Sequence, residues 1–184
     1  LELRRELALG HYQAANLLAA AGRPPEAEKL YGLAIIHFQN LAADFPKVTI
    51  YRDDLIDSHF YLGDLLQATG RYQEAEKAFS RAAELNPENP RHVYRPALLY
   101  LRSGNTDEYR RLCRMCVERL ESDNPDKIIA AGICCKLGPD ALSDYSRLLS
   151  LVEKAVATQP KNRHYLGIQA NLLYRSGHFA EAAK

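Results

Sequence analysis

An eight-residue segment occurs three times in this chain of 184 residues, and it restricts the fold more than any other feature. Gly22-Arg23-Pro24-Pro25-Glu26-Ala27-Glu28-Lys29 matches Gly70-Arg71-Tyr72-Gln73-Glu74-Ala75-Glu76-Lys77, and Gly177-His178-Phe179-Ala180-Glu181-Ala182-Ala183-Lys184 is a third copy. A glycine able to take the left-handed conformation ends one helix, and an alanine five residues later is small enough for two helices to approach closely. Apolar stretches with helical spacing flank the copies: Ala14 to Ala21, Tyr61 to Ala68 and Ile168 to Tyr174 before, Leu30 to Phe38 and Ala78 to Leu85 after. The unit is helix, turn, helix, and its recurrence predicts an array in which each hairpin covers the apolar face of its neighbour.

The spacing of the glycines locates the irregularities. Gly70 to Gly104 and Gly104 to Gly138 are 34 residues each, but Gly138 to Gly177 is 39, which predicts a five-residue insertion near Pro139-Asp140-Ala141-Leu142-Ser143. Gly22 to Gly70 is 48, an excess of 14 that divides into seven residues in each of two successive helices. Seven residues make about two turns, roughly 10 Å, so antiparallel partners lengthen together and keep their apolar faces aligned. Residues 34–62 are therefore expected to form two long antiparallel helices joined near Phe45-Pro46-Lys47-Val48.

The pattern resembles the tetratricopeptide repeat. Ile56 to Asn89 is the best copy, with Leu62-Gly63, Leu66, Gly70, Tyr72, Ala75, Phe79, Ala82 and Pro87 in the family's order. Tyr109 departs from it, standing where alanine is usual. The resemblance implies an all-α, right-handed α-solenoid of about five hairpins forming one domain over residues 1–184, the first hairpin elongated and the last truncated. A start at Leu1 and a stop inside a helical pattern read as the cut ends of a longer polypeptide. Arg4-Arg5-Glu6-Leu7, Arg52-Asp53-Asp54-Leu55, Leu41 to Pro46 and Tyr94 to Tyr100 look like the repeat arm that follows the catalytic domain in some bacterial serine/threonine protein kinases. That narrower resemblance implies a regulatory or substrate-docking arm, with its own kinase domain as a partner in cis. No Gly-rich phosphate loop, His-Arg-Asp loop or Asp-Phe-Gly is present within the chain itself.

Composition excludes few functions, but it removes the extremes. With 24 Lys and Arg against 23 Asp and Glu, net charge gives no reason to expect nucleic acid or a membrane surface as partner. No apolar run approaches the roughly 20 residues that span a bilayer, and a cytoplasmic setting is expected. Cys113 and Cys116 form a Cys-x-x-Cys pair followed by Cys134-Cys135, but the second pair lacks the two-residue gap of a zinc ribbon. Both thiols of the first pair also fall on the apolar stripe of a helix, so all four read as reduced core residues. The six histidines are scattered without the spacing of a metalloprotease helix. We therefore expect no enzyme, no catalytic or metal-binding residue and no cofactor.

Function is expected on the face lined by the first helix of each hairpin, where extended or helical peptides lie in such arrays. The glycine register turns Tyr12, Asn16, Phe60, Asp64 and Gln67 to this face in the first two repeats. It does the same for Arg91, Tyr94, Arg95, Leu98, Arg102, Lys136, Asn171 and Arg175 in the later ones. Aromatic residues and arginines anchor interfaces, although packing between repeats explains Tyr94 and Leu98 equally well. Asn16, Arg91 and Arg95 also match the clamp that grips a C-terminal carboxylate in some family members, but Tyr12 and Tyr61 replace its other positions, so that clamp is not expected. Asp57 and Asp64 lie in the early repeats and the basic residues in the later ones, which predicts a protein or peptide partner with acidic residues beside an apolar anchor.

Overall fold

The computed structural model describes residues 2–120 and 124–183. Among them are ten helices and no strand, paired into five consecutive hairpins of the solenoid class. They fall into two compact units, Leu1–Asn86 and Pro87–Lys184.

The first unit holds α1 (Glu2–Ala20), α2 (Pro24–Asp44), α3 (Thr49–Ala68) and α4 (Tyr72–Leu85). The expected elongation is borne out: α2 and α3 run 21 and 20 residues where α4 has 14, and they are joined through Phe45–Val48. The added turns carry their own core, in which Phe38 and Leu41 of α2 meet Tyr51 and Leu55 of α3 and Ala8 of α1. Nearer the turn, Ala15, Ala27 and Tyr31 form a second cluster flanked by Leu62 and Leu65. A glycine is required where the helices come closest, at Gly63, because a Cβ there would lie 2.7 Å from the buried ring of Phe79.

A left-handed glycine closes four of the five hairpins in the same way. Gly70 has φ of 79°, its N–H donates to Gln67 O at 3.1 Å and the Arg71 N–H donates to Leu66 O at 2.9 Å. Those two bonds take up carbonyls that the ending helix leaves open. Gly22, Gly104 and Gly177 repeat the positive φ and the paired bonds. The following helix then starts under an ion pair inside its first turn, Arg23 with Glu26 in α2 and Arg71 with Glu74 in α4.

The second unit holds α5 (Pro90–Ser103), α6 (Thr106–Glu118), α7 (Pro125–Leu137), α8 (Ser146–Thr158), α9 (Arg163–Arg175) and the four-residue α10 (Phe179–Ala182). Its helices are short, 13 or 14 residues from α5 to α9. Residues 138–145, around the expected insertion, form a non-helical connection between α7 and α8. Gly138 is not among the positive-φ glycines, so it does not close its helix by backbone conformation. Side chains close it instead. The Tyr109 hydroxyl accepts from Gly138 N at 2.8 Å and donates to Cys134 O at 2.9 Å. Arg175 donates to Gly138 O at 2.5 Å and to Lys136 O at 2.8 Å, setting a cation at the negative end of α7. Tyr109 thus has a specific reason to occupy the usual alanine position, and Gly138 has no room for a Cβ, which would lie 2.5 Å from Leu101 and 3.0 Å from the Tyr109 ring.

The four cysteines are buried and free, as expected of core thiols. Cys113 and Cys134 bring their sulfurs to 3.4 Å across the α6–α7 hairpin. Hydrogen bonds from Cys134 and Cys135 hold the Cys113 thiol below its ordinary range, and the same bonds together with burial push Cys134 and Cys135 up. Among the described residues no group of three or more His, Cys, Asp or Glu is arranged to hold a metal ion, and no helix is long and apolar enough to cross a membrane.

Candidate functional site

The residues expected on the peptide face divide, and helix geometry explains the division. On α5, Arg91, Leu98 and Arg102 are linked by steps of three and four through either Tyr94 or its neighbour Arg95, so all five lie toward one face. Tyr94 and Leu98 are 42% and 39% exposed, unusual for large apolar side chains that would serve only to pack neighbouring repeats. Every charged side chain of α5 is an arginine. The helix is set by Asn89, whose side chain accepts from Arg91 N at 3.0 Å, and by Pro90 in its first turn. An exposed aromatic and a leucine thus lie among three cations on a rigid element.

Further along the second unit, Lys136 is exposed and Asn171 half-buried. Asn171 Oδ1 accepts from Arg175 Nε at 2.9 Å, which together with the two carbonyls of α7 engages most of the guanidinium. Arg175, expected as a ligand contact, is a helix-capping residue here. Sequence register places a residue on a face but cannot show that a neighbouring helix end competes for its donors.

In the first unit the expected set is largely an aromatic cluster. Tyr12 meets Tyr31 and Tyr61 edge-on, with ring centroids 6.2 and 5.9 Å apart. Burial pushes the Tyr31 phenol up to about 12, so it stays protonated and donates to Asn16 Oδ1 at 2.5 Å. Asn16 is therefore engaged with Tyr31 of α2, and Tyr12 with the rings of Tyr31 and Tyr61, so neither is arranged as half of a carboxylate clamp. Phe60 corrects the register outright: it is 1% exposed and packs on Phe79 at 5.2 Å, making it a core residue. Asp64 and Gln67 are half-buried on α3.

One feature was visible in the sequence only as an irregular period. The 138–145 connection borders a cleft of about 970 Å³ in the second unit, lined by Arg110, Arg114, Val117, Ala141, Tyr145 and Arg175 among others. Arg110 is held there by Asp107 and by the Asp140 carbonyl, so part of the charge is internally compensated.

Two segments match family models of the tetratricopeptide repeat, residues 8–38 and residues 56–89. The second of these matches coincides with the Ile56 to Asn89 copy read from the sequence, and the first spans the Gly22 turn. No curated protein matches the sequence. Among solved structures, MamA (residues 41 to end) from Desulfovibrio magneticus RS-1 superposes with a TM-score of 0.52 at 17% identity, over 96% of this chain and 89% of that one. A putative kinesin light chain from Podosopora anserina with nearly identical TPR-like repeats gives 0.51 at 18%, over 100% and 92%. YrrB, described as a TPR protein with an unusual peptide-binding site, gives 0.52 at 15%, over 95% and 80%. At identities this low the superpositions show a shared fold alone.

Proposed function

We propose that this array of tetratricopeptide repeats is a non-catalytic scaffold that holds a segment of a partner protein on the exposed faces of its hairpins' first helices, with α5 as the principal contact. Repeats of this family mediate protein–protein interaction, and YrrB is by its description a peptide binder of the same fold. The observation that carries the reading is the α5 face, where Tyr94 and Leu98 stand exposed between Arg91, Arg95 and Arg102. Such a face suits a ligand with acidic residues on either side of an apolar anchor, because charge-assisted contacts steer and orient while the apolar side chain is buried.

The resemblance to a kinase-linked arm rests on residues that serve a local purpose. Arg5 of the Arg4–Leu7 segment is ion-paired at 3.2 Å with Asp54 of the Arg52–Leu55 segment, tying α1 to α3. No observation favours a kinase domain over another partner.

The test is a titration with an acidic peptide carrying a central leucine, at low and high salt, on wild type and on Arg95→Glu/Arg102→Glu. The double reversal should weaken binding by about 2 kcal/mol or more if these are desolvated anchors, and wild-type affinity should fall with salt. Unchanged affinity in a variant with an unaltered circular dichroism spectrum would remove α5 from the binding site.

A further inference from the structure

A second surface lies on the other unit and goes beyond this reading. Leu3, Leu7, Gly10, Ala14 and Leu17 recur at steps of four, three, four and three along α1, forming a single stripe. Leu3, Leu7 and Leu17 are 82%, 51% and 73% exposed, and nothing lies within 4 Å of a Cβ placed on Gly10. The helix meets its own hairpin by a different face, through the fully buried Ala8 and Ala15.

The internal repeat shows what such a stripe takes. The 48-residue offset from Gly22 to Gly70 carries the five positions onto Tyr51, Leu55, Ser58, Leu62 and Leu65 of α3. On α3 those positions are covered. Tyr51 and Leu55 pack with Ala34, Phe38 and Leu41 of α2, and Leu62 and Leu65 pack against the cluster of Ala15, Ala27 and Tyr31. The covering helix presents Ala27, Tyr31, Ala34, Phe38 and Leu41, again spaced four, three, four and three. Charge follows the same register: Asp54 of α3 takes an arginine from the preceding hairpin, Arg5, at 3.2 Å. Its counterpart on α1, Glu6, is exposed and makes no ion pair among the described residues.

We propose that the α1 stripe is a docking surface for an amphipathic helix of a partner protein. That helix bears small and aromatic residues in the α2 pattern, within a hairpin whose other helix brings a cation to Glu6. A second copy of this chain would offer the same leucine, glycine and alanine stripe, which lacks the aromatic residues that fill this kind of surface on α3.

The probe is a labelled peptide of the chain's own α2, residues 24–44, titrated onto the intact protein. Wild type and the Arg95→Glu/Arg102→Glu variant should bind it alike. Leu7→Glu/Leu17→Glu, at exposed positions that leave folding intact by circular dichroism, should weaken binding by about 30-fold or more, as should Tyr31→Glu/Phe38→Glu in the peptide. Absence of saturable binding to wild type, or equal binding by the α1 variant, overturns the proposal. Sedimentation equilibrium closes the remaining route: a wild-type dimer that Leu7→Glu/Leu17→Glu dissolves would assign the stripe to a second copy, and the proposal would fall.

Discussion

The turn at Gly70 and the end of α7 at Gly138 occupy the same place in the repeat and are built by opposite means. At Gly70 the backbone suffices, since a positive φ and two short hydrogen bonds close the helix and Ala75 lets the next one approach. At Gly138 the backbone conformation is absent and two distant side chains, Tyr109 and Arg175, supply the bonds. Where the chain keeps its period, local sequence is enough to end a helix. Where an insertion breaks the period, the closure becomes tertiary and depends on residues 29 and 37 positions away in the chain.

The sharpest way to break this comparison is to restore the family's residue. Tyr109→Ala brings the repeat closer to its pattern, yet it empties a buried ring site and leaves Gly138 N without its acceptor. We expect a loss of about 3–5 kcal/mol in chemical denaturation. A neutral outcome would mean that the Tyr109 network adds nothing over an ordinary turn.

Acid should separate the two units next. Burial, with Arg81 nearby, lowers the His59 pKa from 6.5 to about 4 in α3. Between those values the unfolded chain binds a proton that the folded chain does not, so stability declines as pH falls from about 6.5 toward 4 and is unaffected above that window. The expected cost is on the order of 3 kcal/mol, and His59→Gln should flatten the profile. An unchanged profile in that variant would place the acid sensitivity elsewhere.

Two glycine substitutions have smaller effects and distinguish crowding from backbone strain. Gly138→Ala should cost about 1–2 kcal/mol because its Cβ meets Leu101 and the held Tyr109 ring, and combining it with Leu101→Ala should recover part of its own cost. Gly70→Ala has open space but keeps φ of 79°, so it should cost about 1 kcal/mol with nothing nearby able to relieve it. Thermal melts of the single and double variants measure both, and relief at Gly70 by a neighbouring truncation would contradict the distinction.

Much of the fold could be read from residues close together in the chain. The recurring segment located the turns, and the matched excess around Ala34 to Leu62 foretold the long pair α2 and α3, because helix ends and helix length are set by local backbone preference and periodic burial. The candidate site was less legible. Register assigned Phe60 and Arg175 to an open face by their spacing alone, but one packs on Phe79 and the other caps α7. Tyr94 and Leu98, for which packing was an equal alternative, are exposed.

By itself, then, the sequence determined that this chain is a series of helical hairpins, where each turns, and which pair is elongated, since each of these follows from contacts within a few turns of the chain. Only the tertiary structure decided which side chains of a given helix face remain available. Availability depends on what the neighbouring helix end or ring offers in space: a free carbonyl draws in Arg175, a glycine opposite Phe79 draws in the ring, and the α1 stripe remains open because none of the described residues of its unit covers it.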